Sequence, residues 1–135
     1  MRIKHGRVSL ELHELVRRDG PALLLLHALY GSHSDWGESP GCWPGAVYGL
    51  DFSGHGGSAW VTGGGYTAEL LAGDADAALA QIGHATLAGA GIGAYVALLL
   101  AGARPEHVPA ALLLPGAGLE GGGAAPDFEN PRRDY

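Results

Sequence analysis

The sequence predicts an α/β protein with a mainly parallel sheet and flanking helices. Three observations predict it. Short apolar runs bounded by turn residues, Ala22–His27 and Ala46–Phe52, read as strands buried on both faces. Segments of helical periodicity alternate with such runs, and that alternation calls for crossovers between parallel strands. The stretch "ATLAGAGIGAYVALLLA", Ala85 to Ala101, reads as strand, glycine turn and apolar helix in succession.

In chain order, Val8–Val16 alternates apolar and polar residues, as a half-buried strand does. Asp19–Gly20 turns the chain and Pro21 fixes the exit. After the Ala22–His27 strand comes a polar and aromatic loop, with a short helix expected around Ser34–Trp36. Ala46–Phe52 ends in a glycine-rich loop. Tyr66–Gly83 places Leu70, Leu71, Ala75, Ala78, Leu79 and Ile82 at helical spacing. Glu69, Asp74 and Asp76 are assigned to its solvent side, Thr67 to its N-cap and Gly83 to its end. His84–Ala90 is a strand, Ile92–Gly102 a helix, and Ala110–Leu114 a last apolar strand. Residues 1–119 form the expected core; residues 120–135 are a Gly, Pro and charged tail.

Composition narrows the function. A chain of 135 residues supports one hydrophobic core. Net charge is −6 and no basic patch occurs, so nucleic acid and anionic membrane are poor partners. The single cysteine, Cys42, excludes an intrachain disulfide and fits a cytoplasmic setting. The N-terminus has no apolar stretch like a signal peptide, and no apolar run is long enough to span a bilayer.

The glycine turn has two readings. Gly89-Ala90-Gly91-Ile92-Gly93-Ala94 satisfies G-x-G-x-x-G/A between a strand and a helix, where a nucleotide phosphate could meet backbone N–H groups. The acidic residue that should end the next strand is absent; Pro115 and its neighbours stand there. The other reading is the nucleophile turn G-x-S-x-G, with Gly91 in the place of the serine.

The surrounding segments favour the second. "LLLLHALYGSHSDW", the D-x-x-G-H-G-x-S pattern at Asp51–Ser58, the helix Tyr66–Gly83, the elbow and "ARPEHV" before an apolar strand occur in a specific order. Over about Val8–Leu119 this order resembles the N-terminal half of an α/β-hydrolase-fold protein. The resemblance implies roles. Gly91 takes the nucleophile position, which the family fills with Ser, Asp or Cys. Leu29 and Ile92 would supply the two oxyanion-hole N–H groups. His27, Tyr30, His55 and Trp36 would border the substrate, although His55 is more often structural in this fold. The family's acid and base follow strands beyond those found here, and His84 and His107 fall at the opposite end of the sheet.

The expectation is therefore a catalytically silent or incomplete relative of a serine-type ester or acyl hydrolase. The alternatives are a nucleotide-binding module using Gly89–Ala94, or half of a two-chain hydrolase. No cofactor and no metal is expected: the histidines show no i, i+4 pair, and His27 and His33 share a loop without a third ligand. Ser32, Ser34 and Ser58 read as loop residues, and Cys42 has no basic neighbour to activate it. The strand Ala110–Leu114 would be an apolar sheet edge, expected to pair in a homodimer or with a second chain. A small apolar ligand fits the same reading.

Overall fold

The computed structural model of the chain describes residues 1–58 and 67–116. The expected tail, residues 120–135, and Trp60 lie outside the described residues. Six strands form one sheet: β1 (Arg2–His5), β2 (Val8–Val16), β3 (Leu23–Leu26), β4 (Val47–Asp51), β5 (Thr86–Ala90) and β6 (Ala111–Leu114). Their spatial order is β1-β2-β4-β3-β5-β6. β3 runs parallel to both β4 and β5, and β5 parallel to β6. β1 and β2 form an antiparallel flank on β4. The mainly parallel sheet expected from the alternating pattern is present. β1 was not foreseen: "RIKH" offers only Ile3 to the core.

Period-2 alternation explains how β3 serves two cores. Leu24 and Leu26 join the larger cluster, with Leu87, Leu71, Leu79, Ile92 and Val96. Leu23 and Leu25 point the other way, onto Val47 and Ala88. The first face is covered by α1 (Ala68–Ile82) and α2 (Ile92–Ala103). The second is covered by Trp36 and Trp43 from the 33–43 segment, where 3₁₀ turns occupy His33–Trp36 and Ser39–Cys42. Trp36 therefore packs against the core.

α1 starts and stops for local reasons. The Thr67 hydroxyl accepts the Leu70 N–H at 3.2 Å, and Gly83 leaves the helix at φ 103°. Asp74 corrects the solvent-face assignment: it is fully buried. One carboxylate oxygen meets His5 Nδ1 at 2.7 Å and the other accepts the Ser53 N–H at 2.8 Å. Asp74 thus ties α1 to β1 and to the loop after β4. Asp76 does lie toward solvent, paired with Arg104.

Candidate active site

The parallel register sets the C-terminal ends of β3 and β5 side by side, pairing Leu26 with Gly89. Two turns leave from that edge: the loop beginning at His27, and the elbow between β5 and α2. Gly91 sits at the elbow with φ 60° and ψ −124°, a conformation that an L side chain adopts only under strain. Its N–H donates to the Leu114 carbonyl at 3.0 Å, which fastens the elbow to β6.

The flanking glycines are required by close packing. A Cβ on Gly89 would lie 2.2 Å from the Gly93 carbonyl oxygen, and a Cβ on Gly93 would lie 2.2 Å from that of Leu26. Both contacts are with backbone, which cannot swing aside. Packing thereby explains the two glycines that flank Gly91, Gly89 and Gly93, of which Gly89 alone is a glycine of the G-x-G-x-x-G/A pattern. Gly116 lies beside the elbow, its Cβ position being 3.0 Å from the Gly91 nitrogen and 3.4 Å from the Ala28 Cβ. Gly116 therefore stands next to both Ala28 and the elbow.

His27 and His55 hold the loop. His27 is buried, its Nδ1–H donating to the Ala28 carbonyl at 2.7 Å and its Nε2 accepting the Phe52 N–H at 3.0 Å. Desolvation pushes its pKa down to about 4, against the pull of that carbonyl, so the ring is neutral. His55 Nδ1–H donates to the Ser53 carbonyl at 2.9 Å, and Nε2 accepts the Tyr30 N–H at 3.0 Å. The two rings lie 5.0 Å apart. Tyr30 is 87 % exposed and has φ 68°, so the His55 bond holds a residue in an unfavourable backbone region. The structure thus brings His27, Tyr30 and His55 together around the loop that carries Leu29. Trp36 does not join them; it packs on the other core cluster. Ile92 is buried as the first residue of α2, and Leu29 is half-buried.

All seven histidines lie among the described residues. His27 and His55 spend both nitrogens on backbone groups, and His5 bonds Asp74. His84 precedes β5, and His107 follows α2 and bonds Gly83, at the end of the sheet away from the elbow. Two surface grooves of about 410 and 420 Å³ also open at that far end.

A third cluster was missed by sequence reasoning. Asp51, at the end of β4, is fully buried, with Oδ2 2.8 Å from His13 Nε2 and Oδ1 3.0 Å from His33 Nδ1. Its carboxylate also accepts the N–H of His33 at 2.8 Å and of Gly57 at 3.0 Å. Burial alone would raise the Asp51 pKa, but the Gly57 and His33 N–H groups and the two rings outweigh it and hold it at about 2. Gly56, at φ 48°, lets the loop wrap this carboxylate: a Cβ there would lie 2.4 Å from the Asp51 carboxyl carbon. Ser58 is structural, accepting the Glu11 N–H at 2.8 Å and donating to the Asp51 carbonyl.

An open, mostly parallel sheet with a strand–turn–helix elbow at its C-terminal edge defines a class of proteins that bind or react at that edge. Solved structures identify the particular superfamily. The chain is similar to the hypothetical protein PA1622 from Pseudomonas aeruginosa PAO1, with 31 % identity and a TM-score of 0.75, over 84 % of this chain and 42 % of that one. It is similar to wild-type Cfl2 from Burkholderia cenocepacia, with 25 % identity and a TM-score of 0.76, over 96 % and 45 % of the two chains. It is also similar to epoxide hydrolase A from Mycobacterium thermoresistibile, with 25 % identity and a TM-score of 0.74, over 84 % and 37 %. The chain belongs to the α/β-hydrolase fold superfamily. It spans about 40 % of the length of these structures. No protein-family model matches it, and no curated protein matches it. Among the described residues no helix is long and apolar enough to cross a membrane.

Proposed function

We propose that this chain is a catalytically silent relative of an ester or acyl hydrolase. The observation that carries the reading is Gly91, which holds the nucleophile's backbone position, φ 60° and ψ −124°, without a side chain to attack. The histidine bonding supports it, because neither His27 nor His55 has a ring nitrogen left to act as base. Leu29 and Ile92 would keep the oxyanion-facing N–H groups of the ancestral site. A small apolar ligand at that edge is part of the same reading. Nucleotide binding is disfavoured because packing accounts for Gly89 and the Gly91 N–H is already spent on the Leu114 carbonyl.

The test is hydrolysis of a small activated ester by the wild-type chain and by Gly91→Ser. Neither should turn over above background, because restoring a hydroxyl supplies no base. Turnover by the wild type would overturn the proposal. Turnover by Gly91→Ser alone would leave the wild type silent but refute the claim that the base is missing.

A partner surface belongs to this reading. On β6, Leu112, Leu113 and Leu114 are 57 %, 45 % and 36 % exposed, and successive strand residues face opposite sides. All four residues of β6 are exposed, and among the described residues no strand pairs with its outer edge. Pairing with the same strand of a second copy would cover that edge.

A further inference from the structure

We propose that His13, His33 and Asp51 form a binding site for a divalent transition-metal cation of the zinc class. The three residues come from β2, the His33–Trp36 turn and β4, and only the fold brings them together. Their ligand atoms all lie within 4.8 Å of one another. The proposal does not depend on whether the elbow is silent.

The donor set fixes the kind of ion. Two imidazole nitrogens and one carboxylate suit Zn²⁺, Co²⁺ or Ni²⁺, whereas Mg²⁺ and Ca²⁺ require oxygen-rich shells. Ligand atoms about 2.1 Å from such an ion sit roughly 3.0–3.4 Å from each other. The nitrogen–oxygen separations of 2.8 and 3.0 Å are close to that span.

The surroundings are built for a ligand at this point. Asp51 is oriented by the His33 and Gly57 N–H groups, which stay in place if an ion arrives. Gly49 leaves room for His33, since a Cβ there would lie 3.0 Å from the His33 Cβ. Both rings keep 27 % of their side-chain surface exposed. A groove of about 340 Å³, lined by Leu15, Val16, Ser34 and Glu38, reaches His33 from solvent. A ring that binds the ion turns a lone pair toward it and carries its single proton on the nitrogen away from Asp51, whereas in the metal-free cluster the N–H faces the carboxylate. Three protein ligands leave a position for water, as in open zinc sites.

One movement is required. The rings are stacked, with centroids 3.4 Å apart and planes inclined by 17°. Two imidazoles at right angles on one ion would have centroids roughly 4.5 Å apart, so the rings must splay by about 1 Å. The competing reading is a cluster held by protons alone, with the same contacts serving as hydrogen bonds.

The experiment uses the full chain without an affinity tag, stripped with a chelator and titrated with Co²⁺. The proposal expects saturation at one Co²⁺ per chain, visible ligand-field bands, and displacement of the bands by Zn²⁺. His13→Gln and His33→Gln should each weaken binding about tenfold or more. Histidine-ring nitrogen NMR on the wild type keeps the test decisive if a variant fails to fold. Zn²⁺ should shift His13 Nε2 and His33 Nδ1 and leave His84 and His107 unmoved. Absence of saturable binding, unchanged affinity in both folded variants, or shifts confined to His84 and His107 would each overturn the proposal.

Discussion

Replacing Gly91 by alanine separates backbone strain from catalysis. At φ 60° and ψ −124° a side chain incurs a penalty of about 1–3 kcal/mol. Removing a glycine also restricts the unfolded chain, which favours folding by about 0.4–1 kcal/mol. The balance is a net destabilisation on the order of 1 kcal/mol. Gly102 is the control. It lies in α2 with nothing within 4 Å of its Cβ position, so Gly102→Ala should stabilise by about 0.5–1 kcal/mol. The two changes are chemically identical and should have opposite signs, with a gap of about 2 kcal/mol. Urea unfolding followed by tryptophan fluorescence measures both, provided the m-values agree. If Gly91→Ala stabilises as Gly102→Ala does, the elbow holds no strain. The argument that glycine relaxes this turn would then be refuted.

Three further outcomes follow from the geometry. Gly93→Ala drives a Cβ to 2.2 Å from the Leu26 carbonyl oxygen, so it should cost more than Gly91→Ala, about 3 kcal/mol or greater, by the same denaturation measurement. His27 takes up a proton near pH 6.5 when unfolded but only near 4 when folded, so its share of stability is complete above 6.5 and declines toward 4. That loss amounts to about 3 kcal/mol, and a His27→Gln variant measured over the same pH range should show a correspondingly flatter profile. If β6 pairs with its copy, the wild type should be a dimer by light scattering and Leu112→Lys, which places a charge on an exposed position, should be a monomer.

The elements with strong local signals were legible in the sequence. Thr67 and Gly83 bracket α1, and the apolar runs became β3 and β4 with ends shifted by a residue. The elbow was readable because its glycines answer to a local need, a turn packed against Leu26. What failed was burial of polar groups by distant partners. Asp74 stands on the apolar face of α1, three residues after Leu71 and four before Ala78, and its charge alone assigned it to solvent; it is buried there because His5, 69 residues away, and Ser53, 21 residues away, bond it. His13 and His33 stand 38 and 18 residues before Asp51 along the chain, and no short motif records that separation. β1 was invisible because a short polar segment becomes a strand only through pairing with β2. Trp36, expected beside the substrate, packs on the second core cluster, a placement set by the fold of the 33–43 segment and not by any local signal.

The central claim is that the elbow holds no activated nucleophile. The most direct measurement is the intact mass of the wild-type chain after exposure to a fluorophosphonate, which marks activated serines covalently. The account predicts an unchanged mass for the folded protein. A single phosphonyl adduct that forms on the folded chain and is lost on unfolding before labelling would contradict it, because a serine dismissed above would have to be activated.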